Sequence, residues 1–278
     1  MSRPTGSTRV VDDGPMFSVE PRLARDRPVE QMQGLFRDGW PAFITADQEV
    51  KRHLGDVQAR FSDLELVLLD ERDQVAATGW AVPIRWDGTV GDLPSGYTDA
   101  LRRSLPAEAH DTLVIMGAQV HPDQRGQGLA GQVLTALRDL ALSRGWMQVI
   151  APVRPTLKAR YPLTPIERFA AWVRPDGSPL DPWLRTHQRL GARVLAPAPS
   201  SQTMTGTVGQ WEDWTGLVFP DTGRYVIPDG LSTLHIDKAA DVGTYIEPNV
   251  WMQHFSHPPT DVPITEVLEP DGTHRQRR

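Results

Sequence analysis

Eleven consecutive residues, Val120-His121-Pro122-Asp123-Gln124-Arg125-Gly126-Gln127-Gly128-Leu129-Ala130, carry the densest chemical signal in the chain. They follow an apolar strand-like segment, Leu113-Val114-Ile115-Met116, and open a helix-like one running from Leu129 to Arg144. A strand, a glycine-rich turn and a helix in that order aim several free backbone N–H groups, at the positive end of a helix, toward one point, which suits a phosphate. Arg125 adds a donor that stays charged at any protein pH. Val120, Gln124, Arg125, Gly126, Gln127, Gly128, Leu129 and Ala130 are therefore the candidate anion-binding residues. The bland alternative is a glycine-rich helix start that serves only as a turn.

Known phosphate loops differ from this one. A Walker loop ends in Gly-Lys-Ser/Thr, where this turn has Gly128-Leu129-Ala130. A dinucleotide fingerprint needs a second glycine pattern and an acidic residue about 20 residues further on. The pattern present is Arg125-x-x-Gly128-x-Ala130 behind Val120-x-Pro122. It resembles the pyrophosphate-binding motif of the GNAT acyltransferase superfamily, which grips coenzyme A. The resemblance implies an acyl-CoA substrate, malonyl-CoA or acetyl-CoA.

A second segment, Thr186-His187-Gln188-Arg189-Leu190-Gly191-Ala192-Arg193, resembles the late GNAT helix that reads Phe-Tyr-Glu-Lys-Leu-Gly-Phe-Arg in many members. The tyrosine of that helix often protonates the leaving thiolate, and here His187 stands at its place. An imidazole gives or takes a proton near neutrality, unlike a phenol. A surface histidine on an amphipathic helix is the alternative. The strand after the phosphate helix ends in Ala151-Pro152-Val153-Arg154-Pro155-Thr156-Leu157-Lys158. The resemblance implies that this strand splays from its neighbour and leaves backbone N–H groups for an oxyanion. Thr156 offers a hydroxyl just past the strand end, either to the acyl group or as a helix cap.

Amine acetylation commonly calls for a base, yet Thr112 to Val120 contains no Asp, Glu or His. Glu65, Glu71 and Glu167 are the carboxylates left to reach in. A thiol acceptor, with a pKa near 8.5, needs less help. A narrower resemblance covers about residues 150 to 254: the stretches Pro152 to Lys158, Arg160 to Leu163, Asp181 to His187 and Glu247 to Met252 look like the GNAT-like loading domains of some polyketide synthases. Those domains decarboxylate malonyl-CoA or a relative and pass the acyl group to the phosphopantetheine thiol of an acyl carrier protein. Their Thr and His pair maps onto Thr156 and His187. Carbon dioxide loss would leave an enolate needing hydrogen-bond donors, and an imidazolium at His187 would return a proton to its carbon. Trp80, Trp86, Trp172 and Trp183 are candidates for an apolar wall, or are ordinary core aromatics. Arg154, Lys158, Arg160, Arg168, Arg185 and Arg189 are a candidate basic patch for an acidic carrier, or scattered solvated charges.

The bulk numbers narrow the class. The 278 residues suffice for one large domain or two small ones. A net charge of −6, with the only dense basic cluster at Arg275, Arg277 and Arg278, argues against nucleic acid as a partner. No apolar run approaches the roughly 20 residues that span a bilayer, and residues 1–15 lack a signal-peptide core, so no membrane partner and a cytoplasmic location are expected. The absence of cysteine excludes disulfides and a cysteine nucleophile. The eight histidines include no His-Glu-x-x-His or similar pair, so no metal site is expected, and His235, His254 and His257 read as isolated surface residues.

The elements that must position these residues follow from periodicity. Residues 1–16 are polar and expected to be a disordered tail. Helices are predicted at 28–38 and 47–61, the second opened by Thr45 and Asp47. A strand at 64–69 and another at 74–86 form a hairpin around Glu71-Arg72-Asp73. Residues 87–111 are a long connection with a short helix at 98–104. In the 129–144 helix, Leu129, Val133, Leu137, Leu140 and Ala141 make an ordinary core stripe. A strand at 147–153 and helices at 166–174 and 181–190 come next. Short strands are predicted at 204–208, 211–218, 225–227, 231–236 and 243–247. The expected fold is α/β, a GNAT-type mixed and mostly antiparallel sheet flanked by helices, over residues 17–218. A β-rich extension at 219–255 packs on it, and 256–278 is a loose tail. Insertions of this size beside a site usually form a lid or an acceptor pocket.

Three functions are consistent with the sequence. The first is a coenzyme A-dependent acyltransferase that decarboxylates its substrate and loads a carrier protein. The others are an N-acetyltransferase for a small amine and a non-catalytic acyl-CoA-binding module.

Overall fold

Strand after strand of β-branched and aliphatic residues builds one sheet that runs the length of the molecule. The computed structural model describes residues 17–28, 31–32, 35, 40–106 and 109–254. Among them, β1 (Ser18–Pro21), β2 (Glu65–Leu69), β3 (Val75–Ile84), β4 (Thr112–Val120) and β5 (Gln148–Val153) form the first half. β6 (Arg193–Gly206), β7 (Gly223–Val226), β8 (Thr233–Asp237) and β9 (Val242–His254) form the second. The order is β1-β2-β3-β4-β5-β9-β8-β7, with β6 also paired to β9. Every pairing is antiparallel except β4 with β5, so the expected mixed, mostly antiparallel α/β sheet is what forms.

Six α-helices flank the sheet among the described residues: α1 (Gln48–Arg60), α2 (Tyr97–Arg103), α3 (Leu129–Ser143), α4 (Ile166–Ala170), α5 (Pro182–Arg189) and α6 (Val208–Thr215). Asp47 caps α1 by accepting from the amides of Glu49 and Val50, at 2.9 and 3.1 Å. On one face of the sheet α3 buries Leu129, Val133, Leu134, Leu137 and Ala141, the stripe read from the sequence. Leu184 of α5 and Phe169 of α4 join the same core. On the other face Val57 of α1 and Ala100 and Leu101 of α2 pack on Val82, Val114, Ile150 and Trp251. Each such buried side chain contributes roughly 1.5–3 kcal/mol by leaving water.

The predicted hairpin is present: β2 pairs with β3 around a turn in which Asp73 adopts φ +61° and Asp70 accepts from the amides of Arg72 and Gln74. The strand predicted at 211–218 is instead helix α6. Thr207 and Gln210 form a reciprocal capping box at its start, and Gly216 at φ +67° ends it. The helix predicted at 28–38 falls largely outside the described residues.

The last third joins the main sheet. β9 is 13 residues long and carries β6 along one edge. Along its other edge it pairs with β5 from Val250 to His254 and with β8 from Val242 to Tyr245. Residues 94–97 of the 87–111 connection lie against the opposite face. Trp251 donates to the Pro94 carbonyl at 2.9 Å and the Tyr97 amide to Ser201 Oγ at 2.8 Å. Gly96 passes so close to β6 that a Cβ there would lie 2.1 Å from Ser201 Cα.

Candidate active site

The phosphate loop leaves β4 at Val120 and turns through a short 3-10 segment, Pro122–Gln124. His121 Nδ1 accepts from the Asp123 amide at 3.3 Å and Gln127 donates to Gln124 at 2.8 Å, which hold the loop in shape. Gly126 and Gly128 take φ +83° and +76°, the left-handed region that glycine enters without strain, and nothing lies within 4 Å of where a Cβ would sit. Gly128 is the N-cap of α3 and supplies no side chain, and the first turn holds no acidic residue. The amides of Leu129 and Ala130 therefore face outward with no intrahelical acceptor. Arg125, Gly126, Gln127 and Gly128 are exposed around them. The eight predicted residues run from the last residue of β4 to the second of α3, and the turn between presents backbone donors of the kind a phosphate takes.

The strands beside the loop separate. β4 and β5 pair only from Thr112↔Gln148 to Val114↔Ile150, while β4 continues to Val120 and β5 to Val153. Opposite β3 the register jumps from Ile115↔Ala81 to Gly117↔Trp80, leaving Met116 as a bulge. Met116 thus has no registered strand partner on either side. Trp40 stands across the mouth of the gap. Its Nε1 donates to Gln119 of β4 at 2.8 Å, and the Arg154 guanidinium just past β5 lies 6.0 Å from its ring centre.

Thr156 is exposed two residues beyond Arg154, and its hydroxyl makes no hydrogen bond among the described residues. It caps nothing: the neighbouring Leu157 amide is taken by Asp181 Oδ2 at 2.6 Å. Asp181 is in turn the N-cap of α5, so Thr156 sits at the start of the helix that carries His187. His187 is six positions beyond Asp181, about 9 Å of helical rise. No hydrogen bond joins the two candidate residues among the described residues.

His187 is only 2 % exposed, which excludes the surface-residue alternative. Its Nδ1 lies 2.9 Å from Nε2 of His254, its Nε2 is buried with no partner, and Trp183 packs edge-on against its ring at 4.6 Å. His254, expected at the surface, is 3 % exposed at the end of β9. Burial holds His187 well below the usual imidazole range, with His254 adding to the effect. Burial also pushes His254 down to about 4, helped by Arg138 of α3. Both rings are neutral near pH 7, so His187 is no standing imidazolium.

A different cluster fills the space on β9 between the end of β5 and the start of β8. Glu247 is fully buried there and accepts from Arg154 Nε and from the Tyr245 hydroxyl. Lys158 is buried beside it and donates to the Tyr161 and Leu231 carbonyls. Burial raises the Glu247 carboxyl against the pull of Arg154, and burial pushes the Lys158 ammonium down to about 8. Arg154 is also fixed by the Asp229 carbonyl at 2.7 Å. Its Nη1 makes no hydrogen bond among the described residues.

Other sequence candidates lie elsewhere. Glu65 pairs with Arg22 at 3.1 Å, and Glu71 and Glu167 are exposed. Trp86 is a core residue whose Nε1 donates to Thr89, Trp80 packs edge-on to Tyr97, Trp172 packs on Phe169 and Tyr161, and Trp183 packs on His187. Trp40, Gln119, Glu247 and His254 were not legible as site residues. Their partners lie 67 to 93 positions away in the chain, or, for Trp40 and Gln119, 79 apart. No group of metal-ligating side chains occurs among the described residues, and no helix there is long and apolar enough to cross a membrane.

A phosphate loop at a helix start, beside a bulged strand that parts from its parallel neighbour, defines a coenzyme A-dependent acyltransferase, and the chain belongs to the GNAT acyltransferase superfamily. Arginine N-acetyltransferase avaD of Aspergillus versicolor is 31% identical over 251 residues, covering 78% of this chain and 86% of that protein. The loading GNATL domain of CurA from Lyngbya majuscula shares the fold with a TM-score of 0.51 at 15% identity, over 87% of this chain and 98% of that one. The GphF GNAT-like decarboxylase, solved with isobutyryl-CoA, does so with a TM-score of 0.52 at 16% identity, over 87% and 100%. No family model matches the chain. The substrate that fits the loop is an acyl-CoA.

Proposed function

We propose that the protein transfers an acetyl group from acetyl-CoA to a basic nitrogen of a small carboxylate-bearing substrate of the arginine type. The observation that carries this reading is the buried neutral imidazole of His187, with an unpartnered Nε2, on the helix whose first turn is tied through Asp181 to the segment after β5. β4 supplies no base, and a neutral imidazole is the proton acceptor that attack by nitrogen requires. The arginine N-acetyltransferase relative supports the same substrate class. The nitrogen attacks the thioester carbon, the C–S bond breaks, and the nitrogen's proton passes through His187 to the departing thiolate. The Met116 backbone donor takes the charge on the carbonyl oxygen. Arg154, held by Glu247 with Nη1 open, is the receptor for the acceptor's carboxylate.

A second reading, decarboxylation of malonyl-CoA or a relative and transfer to a carrier-protein thiol, is favoured by one feature. The open Thr156 hydroxyl and the Arg154 guanidinium stand together at the end of β5, where a malonyl carboxylate would be received. In that chemistry the enolate carbon takes its proton from an N–H at His187 Nε2. The partner would be an acyl carrier protein. The GphF relative, named a decarboxylase, shares the fold over most of this chain.

Mass spectrometry of the purified protein decides between them. Acetyl-CoA with L-arginine should give free CoA and N-acetylarginine, while agmatine, which lacks the carboxylate, should react with a higher KM. Acetyl-CoA and carbon dioxide from malonyl-CoA, with acetyl-carrier formed when a phosphopantetheinylated carrier is present, would overturn the first reading in favour of the second.

A further inference from the structure

We infer that His254 is a positioning residue that fixes the tautomer of His187, accepting the His187 Nδ1 proton and leaving Nε2 a bare lone pair. The inference rests on the acyl-transfer reading of His187 but has its own geometry. Two neutral imidazoles carry one N–H each, and the 2.9 Å contact between His187 Nδ1 and His254 Nε2 uses one of them. If His254 were the donor, His187 would carry its proton on Nε2, a buried N–H with no acceptor. If His187 is the donor, its Nε2 is a bare lone pair. A buried orphan donor is the rarer and costlier state, so the second arrangement prevails. Catalytic histidines are generally oriented by a hydrogen-bonded third group, often a carboxylate. Here the third group is another imidazole.

Two arginines stand around the pair. Arg138 of α3 bears on His254 and is partnered by Asp139 at 3.2 Å. Arg193 of β6 is held on Gln253, the neighbour of His254 on β9, and Trp183 of α5 is neutral. No carboxylate contributes to the shift of either histidine among the described residues. The His187 imidazolium formed in the reaction is therefore short-lived. It shares its Nδ1 proton with His254 and releases its Nε2 proton to the thiolate.

Histidine-labelled protein read by ¹⁵N NMR at neutral pH tests the tautomer without any substrate, with His187→Gln to assign the signals. A bare Nε2 and a protonated Nδ1 on His187 are expected; a protonated Nε2 would overturn the inference. In turnover, His254→Gln, which keeps an acceptor, should stay close to wild type. His254→Phe should lower kcat by about 10²-fold, the low end of what a positioned acid–base group supplies, with little change in KM for acetyl-CoA. Equal losses in the two variants would overturn it, and if the Phe variant fails to fold, His254→Glu replaces it. That carboxylate should move the acid limb of the pH–rate profile upward, and an unmoved limb counts against the inference. Absent N-acetylation in a protein whose His187 shows a bare Nε2 would remove the functional reading and leave the tautomer standing.

Discussion

The sheet is interrupted twice, and the two interruptions are built in opposite ways. Between β4 and β5 the strands part and the space is left open, lined by backbone at the Met116 bulge and by glycines at the loop. Between β5 and β8, along the edge of β9, the space is filled by the chain's own charges, Arg154 and Lys158 against Glu247. An opening lined with backbone donors can take an anion without rearrangement. One stuffed with a satisfied ion pair is closed to ligands and holds its surroundings rigid, because a buried charge that loses its partner is expensive. Arg154 belongs to both. Its Nε side is spent on the plug, and its guanidinium carbon lies 6.0 Å from the Trp40 ring centre at the gap.

Breaking the plug should have the largest effect. Glu247→Leu leaves Arg154 and Lys158 buried without a carboxylate and should cost about 3–5 kcal/mol of stability, seen as a lower urea midpoint. A loss within 1 kcal/mol would mean that water replaces the carboxylate and that the plug is not closed (about one surface interaction's worth). Next comes acid. His187 and His254 are held neutral in the fold but protonate near 6.5 when unfolded, so the unfolded chain binds more protons below that pH. Stability should be full above pH 6.5 and fall as pH drops toward 4, and His254→Phe should flatten the slope. Reversing the charge at the open gap, Arg125→Glu, should weaken coenzyme A binding by about 10- to 100-fold in calorimetry, the weight of one charged hydrogen bond. Gly128→Ala should cost about 1 kcal/mol, from the left-handed backbone alone since the space is empty. The smallest effect on stability belongs to Thr156→Val. Its exposed, unbonded hydroxyl predicts an unchanged melting temperature, so any loss of turnover would be purely chemical.

The open interruption was legible in the sequence and the filled one was not, for a physical reason. The loop from Val120 to Ala130, the α3 stripe and the Asp47 cap are written in neighbouring residues, where local geometry fixes who meets whom. Glu247 meets Arg154 across 93 positions and His254 meets His187 across 67, and these pairings exist only because β9 aligns with β5 and β6. Helix α6 was missed for a smaller reason. Its Trp-rich apolar run suits strand and helix alike, and the Thr207–Gln210 capping box that decides between them is local and readable.

β9 touches the first and second halves of the sheet at once and ends on the histidine that partners His187. The C-terminal third is therefore not a detachable cassette to be trimmed or traded among relatives. A chain cut after residue 218 would lose the edge on which β5 closes, the carboxylate that steadies Arg154 and the ring that orients His187. In this protein the extension and the candidate site share one strand.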